Sequence, residues 1–125
     1  MTLPYGSTVL EHFRRPRNQR TLETPSAARE AHNPLCGDRV RLEVDVAGGR
    51  IRTAAFTANA CAICTASASL LTERLHGLSL TEALGIDDAG VIAALGSAVP
   101  ESRRSCATLP LRALHDALTD LRPVA

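Results

Sequence analysis

Three of the chain's four cysteines stand where one soft ligand set could be assembled. Cys36 lies in Asn33-Pro34-Leu35-Cys36-Gly37-Asp38, just ahead of an alternating segment. Cys61 follows the segment that returns from it, and Cys106 opens the last apolar-periodic stretch. Asp38 adds a carboxylate two residues after Cys36. Thiolates joined by one oxygen ligand suit zinc or iron far better than they suit an apolar core. A single free cysteine is ordinarily a small buried hydrophobe. Three on separate segments, two of them at helix starts, argue instead for one shared centre.

Cys64 is a different case. It completes Cys61-Ala62-Ile63-Cys64, but at helical spacing it shares a stripe with Ala68, Leu71 and Leu75. Packing is the better reading, and a fourth thiolate ligand is the sharper one. A Cys-x-x-Cys at a helix start also fits a thiol–disulfide oxidoreductase. That rival leaves Cys36, Asp38 and Cys106 without a role. A plain structural zinc site is the third reading. His12, His32, His76 and His115 have no ligand spacing among themselves and read as surface or half-buried residues.

The elements that must position these groups follow from hydrophobic period. Val40, Leu42, Val44 and Val46 alternate with Arg39, Arg41, Glu43 and Asp45, the pattern of a half-buried strand. Gly48-Gly49 signals a two-residue hairpin turn, and residues 51–58 return as the partner strand. With Ala47 facing Arg50, the register places Leu42 opposite Ala55, Asp38 opposite Asn59 and Cys36 opposite Cys61. A single bulge would shift it by one. By parity, Asp38 continues the apolar face of Val40 and Leu42. A carboxylate on that face needs a partner, which a cation would supply.

Residues 27–32 suggest a short edge strand. Pro4, with Thr2 as cap and Tyr5, Val9, Leu10 and Phe13 as stripe, predicts an N-terminal helix ending at Pro16. A helix is expected over 62–76, rich in small residues and stopped by Gly77. Ser79-Leu80-Thr81-Glu82 is a capping box, and Asp87 caps a helix over 88–95. Residues 96–105 read as loop. Leu109, Ala113, Leu114, Ala117, Leu118 and Leu121 mark the last helix, with Cys106 on its inward side. Strands followed by helices predict an α+β fold: a three-stranded antiparallel sheet with helices packed on one face, one domain over 1–125. Helix starts at Cys61 and Cys106 predict thiols of lowered pKa.

Composition excludes several classes. All fourteen basic residues are Arg, so a Schiff-base lysine and a P-loop lysine are ruled out. Net charge is +1 and Trp is absent, so neither an electrostatic footprint nor a stacking platform for nucleic acid is present. No apolar run reaches the ~20 residues of a membrane span, and residues 1–15 lack the layout of a signal peptide. The expectation is a cytoplasmic protein whose thiols stay reduced.

These residues together resemble the IscU/SufU/NifU family of iron–sulfur cluster assembly scaffolds. Tyr5 through His12-Phe13 to Pro16-Arg17-Asn18 is similar to the family's first helix and its exit. Asn33-Pro34-Leu35-Cys36-Gly37-Asp38 is similar to the first ligand motif, Cys61-Ala62-Ile63 with Ala66 to Ser69 and Thr72-Glu73 to the second, and Cys106-Ala107-Thr108-Leu109-Pro110 to the third in its SufU form. The resemblance implies that Cys36, Asp38, Cys61 and Cys106 bind zinc or a transient 2Fe–2S cluster. It implies that Cys106, Cys36 or Cys61 accepts persulfide sulfur from a pyridoxal-phosphate cysteine desulfurase, and that the cluster passes to apo iron–sulfur proteins. The role implied is that of a carrier rather than a turnover enzyme, with zinc-dependent sulfur transfer as the alternative.

The chain departs from both branches. Val99-Pro100-Glu101-Ser102-Arg103 stands where the IscU branch carries its Leu-Pro-Pro-Val-Lys segment, so the motif for a dedicated Hsp70-type chaperone is absent. Arg104-Ser105 precedes Cys106 without the histidine of that branch. Arg103 matches the SufU pattern, yet the stretch between Cys61 and Cys106 is short for the SufU insertion.

Overall fold

Gly48 and Gly49 adopt φ of 60° and 74°, the paired positive values that a two-residue hairpin turn requires and that side chains resist. They join β2 (Asp38–Ala47) to β3 (Arg50–Asn59) in a computed structural model that describes residues 6–96 and 99–121. β1 (Ala27–Asn33) lies on the other side of β2, giving an antiparallel sheet of order β1-β2-β3. The helices are α1 (Ser7–Arg14), α2 (Ala62–Leu75), α3 (Leu80–Leu84), α4 (Asp88–Ala94) and α5 (Arg104–Leu121). The α+β architecture is the one expected.

The register departs from expectation by one residue, and the cause is local. Ala47↔Arg50 and Val46↔Ile51 pair as anticipated, but Asp45 then pairs with Thr53. Arg52 is the extra residue of a bulge, so Leu42 faces Phe56 rather than Ala55, and Asn59 faces Arg39 rather than Asp38. The expected opposition of Cys36 and Cys61 is also lost for a second reason. β2 begins at Asp38, which pairs with Asn33 of β1. Cys36 therefore sits in the turn between these two strands, outside the β2–β3 ladder.

Parity across the sheet holds. Val40, Leu42, Val44 and Phe56 are fully buried and form one core with Leu71 and Leu75 of α2 and Leu109, Leu114 and Leu118 of α5. α2 is buried along its whole first half, from Ile63 to Ser69. Its alanines and serines allow close approach on all sides, as an enclosed helix needs. α1 rests on α2 and contributes Val9 to a second cluster with Ile63, Ala66, Leu95 and Ala107.

The outer face of the sheet is partly closed by residues 18–22. Asn18 and Arg20 bond the backbone of Phe56 along the edge of β3, and the Leu22 N–H donates to Glu43 Oε1 at 2.7 Å. The capping box at Ser79 and the Asp87 cap are both formed. Two boundaries are corrected. The stretch read as loop contains a 3-10 turn (Glu101–Arg103) and the first residues of α5, so Cys106 is the third residue of that helix rather than its opening. The expected helix start at Thr2, Pro4 and Tyr5 lies outside the described residues, and the described helix takes Gly6 as N-cap.

Candidate metal centre

The turn that carries Cys36 is built by Asn33 and Gly37. The Asn33 side-chain oxygen accepts the Leu35 N–H at 3.1 Å, and its carbonyl accepts the Gly37 N–H at 2.8 Å. Gly37 closes the turn at φ 79°, a conformation that favours glycine. The result lifts Leu35 to 92% exposure and leaves Cys36 exposed beside it.

Asp38 enters the buried face as parity requires and is only 5% exposed. Its Oδ1 accepts the backbone N–H of Cys61, the N-cap residue of α2, at 3.2 Å. That bond satisfies one of the orphan donors at the helix start. Its Oδ2 is buried without a hydrogen-bond partner. Such an atom costs free energy wherever nothing else meets it.

Cys106 reaches the same place from α5. It is 1% exposed, and its sulfur stands 3.4 Å from that of Cys36. One ligand atom from each of Cys36, Asp38 and Cys106 lies within 4.8 Å of the others. Two sulfurs and a carboxylate oxygen at such mutual distances fit a tetrahedral thiophilic cation, with Zn–S of roughly 2.3 Å. The orphaned Asp38 oxygen is the feature that a cation would resolve.

Cys61 touches this arrangement through its backbone and does not share the mutual reach of the other three. It is half-buried and unpaired in a disulfide, like the other cysteines. Cys64 lies in the main core, fully buried. Burial, with Asp38 and the other sulfurs adding to it, holds its thiol far above the ordinary value. The packing reading therefore describes where Cys64 sits. The expected lowering of the Cys106 thiol is reversed. Burial pushes it well up, and the Cys36 thiol and Asp38 carboxylate push in the same direction. Burial and the neighbouring groups outweigh the helix dipole.

Three supporting residues were not singled out by sequence. Asn33 is one, and its only signal was its place in the ligand motif. Ser67 is the second: it is buried on α2 and donates its hydroxyl to the Ala107 carbonyl at 2.6 Å, pinning the turn that bears Cys106. Pro110 lies inside α5, so the Cys106 carbonyl has no backbone N–H partner at the usual position. His12 also differs from expectation. It is buried, with Nδ1 2.7 Å from Ser69 Oγ on α2. The same hydroxyl accepts the Arg17 N–H, so α1 and the segment after it are tied to the ligand-bearing helix.

A sheet with helices on one face, holding thiols and a carboxylate at its end, defines an α+β protein with a candidate Cys/Asp metal centre. The family described as NifU-like N terminal domain matches residues 4–123, and the chain belongs to it. A NifU/MnmA bifunctional protein of Rubrobacter xylanophilus is 40% identical over 93% of this chain, which spans 24% of that relative's length. An Archaeoglobus fulgidus protein named iron–sulfur cluster assembly scaffold IscU 1 is 34% identical over 93% of this chain and 75% of its own. A zinc-dependent sulfurtransferase SufU of Bacillus subtilis is 32% identical over 89% of this chain and 86% of its own. In fold, the crystal structure of a NifU-like N-terminal protein from Brucella abortus superposes with a TM-score of 0.78 at 20% identity, over 94% of both chains. Among the described residues no helix is long and apolar enough to cross a membrane.

Proposed function

We propose that this chain is an iron–sulfur cluster assembly scaffold. It accepts sulfur from a cysteine desulfurase, holds iron and a transient 2Fe–2S cluster as cargo, and passes the cluster to apo-proteins in a reducing, cytoplasmic setting. One observation carries the reading: two sulfurs and an oxygen of the Asp38 carboxylate converge within 4.8 Å at the end of the sheet, and that buried carboxylate has an oxygen without a hydrogen-bond partner. Cys36, Asp38 and Cys106 are the first ligands, and Cys61 completes the set. Relatives named as scaffolds support the assignment.

Cys36 is the sulfur a partner can reach, because it is exposed while Cys106 is not. Its thiolate attacks the terminal sulfur of the donor's persulfide. A new sulfur–sulfur bond forms on Cys36, the donor's bond breaks, and the donor cysteine leaves as thiolate. The exposed Leu35 gives that partner an apolar contact beside the acceptor. A carboxylate ligand is harder and more readily exchanged than a thiolate, which suits a cluster that must leave.

The second reading is a zinc-dependent sulfur acceptor that takes persulfide from a desulfurase, stimulating it, and passes the sulfur on. The same donor set favours it, as does the likeness to the Bacillus subtilis sulfurtransferase. Zinc would be held by the same residues and would keep their thiols deprotonated. The Cys61-Cys64 oxidoreductase reading loses support, because it leaves the convergence of Cys36, Asp38 and Cys106 without a role. Anaerobic reconstitution with iron, cysteine and a desulfurase tests the scaffold. The expected result is a visible 2Fe–2S spectrum that disappears in Cys36→Ser and Cys106→Ser. Tight zinc, no cluster and stimulation of the desulfurase would replace the first reading with the second.

A further inference from the structure

Asn33 is a buried polar residue at the end of β1, 7% exposed, and both polar atoms of its side chain are hydrogen-bonded. Its oxygen accepts the Leu35 N–H at 3.1 Å, and its amide nitrogen donates to Ser105 Oγ at 3.0 Å. Its carbonyl accepts the Gly37 N–H at 2.8 Å and lies 4.0 Å from the Cys36 sulfur. Leu35 and Gly37 flank Cys36, and Ser105 directly precedes Cys106. One residue thus holds both neighbours of one sulfur and the neighbour of the other.

We infer that Asn33 is the positioning residue of the centre: a clasp that sets the separation of the Cys36 and Cys106 sulfurs by joining the β1–β2 turn to the first turn of α5. The inference rests on reading those two sulfurs as a working pair. Asn33 contributes no ligand atom, because its oxygen and nitrogen are both spent on the protein. It acts through the two cysteines. A tight turn on one element and a helix end on another approach each other across seventy positions of sequence. Beside the contact of the two sulfurs themselves, the bond to Ser105 ties the turn to the helix end at this level. Groups held in register meet at a much higher effective concentration than groups on independently moving segments.

A merely structural Asn33 would stabilise the turn and leave the sulfur pair indifferent to Ser105. Ser105 is exposed, so Ser105→Ala removes the bridge while leaving the turn and the core intact. Asn33→Ala removes both bridge and turn. The primary readout uses metal-free protein with chelator present. In a glutathione buffer, the Cys36 and Cys106 thiols exchange with glutathione disulfide to give one protein disulfide and two glutathione thiols. Mass mapping gives the equilibrium constant. Zinc affinity by chelator competition and the urea midpoint are measured beside it.

Ser105→Ala is expected to lower the disulfide equilibrium constant and the zinc affinity by roughly 3- to 10-fold each, the scale of one lost hydrogen bond. Its urea midpoint should fall by no more than one hydrogen bond is worth, with the transition still cooperative. Adding Ser105→Ala to Asn33→Ala should cause no further loss in either quantity, and Ser105→Thr should restore the parent values. An unchanged disulfide equilibrium in Ser105→Ala overturns the clasp, as does full additivity of the two substitutions. Failure of the parent to bind zinc or assemble a cluster sinks the functional reading instead, while the metal-free equilibrium still decides the clasp.

Discussion

The sulfur atoms of Cys36 and Cys106 stand 3.4 Å apart although seventy positions separate them in sequence. One belongs to an exposed turn and the other to the buried side of a helix. Two thiols at this distance have three outcomes open to them: share a cation, receive sulfur in turn, or join.

The first prediction follows from that proximity. Metal-free protein treated with a mild dithiol oxidant should form the Cys36–Cys106 disulfide before any other pairing. Cys64 should stay reduced, being fully buried and held protonated. Prior zinc loading should slow the reaction at least tenfold, because coordinated sulfur is withdrawn from exchange. Peptide mapping after alkylation reads the outcome; a dominant Cys61–Cys64 bridge would revive the oxidoreductase reading.

Asp38 has two tasks in the structure, and they separate by substitution. Asp38→Asn keeps an oxygen for the Cys61 N–H, whereas Asp38→Ala leaves that donor without it. Asp38→Ala should therefore lower stability by about 1 kcal/mol, the scale of losing a helix cap. In both variants a reconstituted cluster should decay more slowly under chelator challenge, since the exchangeable oxygen ligand is altered or gone. Absorbance decay measures this, and unchanged or faster loss would remove Asp38 from the release step.

Cys64→Ser tests the division between ligand and core. The sulfur is fully buried among Leu71, Leu75 and the sheet residues of the main core. Placing a hydroxyl there without a partner should cost roughly 1–3 kcal/mol. Zinc or cluster stoichiometry should remain that of the parent. Retained stability with lost metal would make Cys64 a ligand.

What was legible in the sequence was local. The paired glycines, the capping box at Ser79, the Asp87 cap and the parity of Asp38 each depend on a few neighbouring residues, and each is realised. The β2–β3 register was readable only near its turn, because the bulge at Arg52 has no composition signal. Cys36 lies outside the strand that alternation suggests because the Asn33 side chain, through Leu35, folds that stretch into a turn. The raised rather than lowered pKa of the Cys106 thiol has a related reason. Its place at a helix start is local, but burial and the approach of Cys36 and Asp38 are tertiary. The burial of His12, beyond the surface or half-buried place its sequence suggests, has no local signal because its partner, Ser69, lies 57 positions away.

His12 supplies a pH prediction. Burial lowers its pKa, with Arg17 adding to the effect. The folded chain therefore keeps the imidazole neutral where the unfolded chain begins to bind a proton, below about pH 6.5. The unfolded state then holds more protons, so stability falls as pH drops from 7 toward 5. Urea midpoints across that range should show the decline, and His12→Gln should flatten it while keeping a hydrogen-bonding group near Ser69. An equal slope in the variant would assign the loss to other groups.

Cys106 behaves with the opposite sign. Its folded-state pKa is raised, chiefly by burial, so the fold favours the protonated thiol. That preference contributes fully below the ordinary thiol value of about 8.5 and is lost as pH rises beyond it, because the unfolded thiol ionises first. Metal-free protein should therefore weaken progressively in alkaline urea titrations, and Cys106→Ser should lose this dependence. Zinc binding must displace the same proton at neutral pH. Its apparent affinity should rise with pH by about tenfold per unit for each proton released. Calorimetry in buffers of different ionisation enthalpy counts those protons directly. A parent that released none at pH 7, and a Cys106→Ser variant that bound zinc with the same pH slope, would place Cys106 outside the centre.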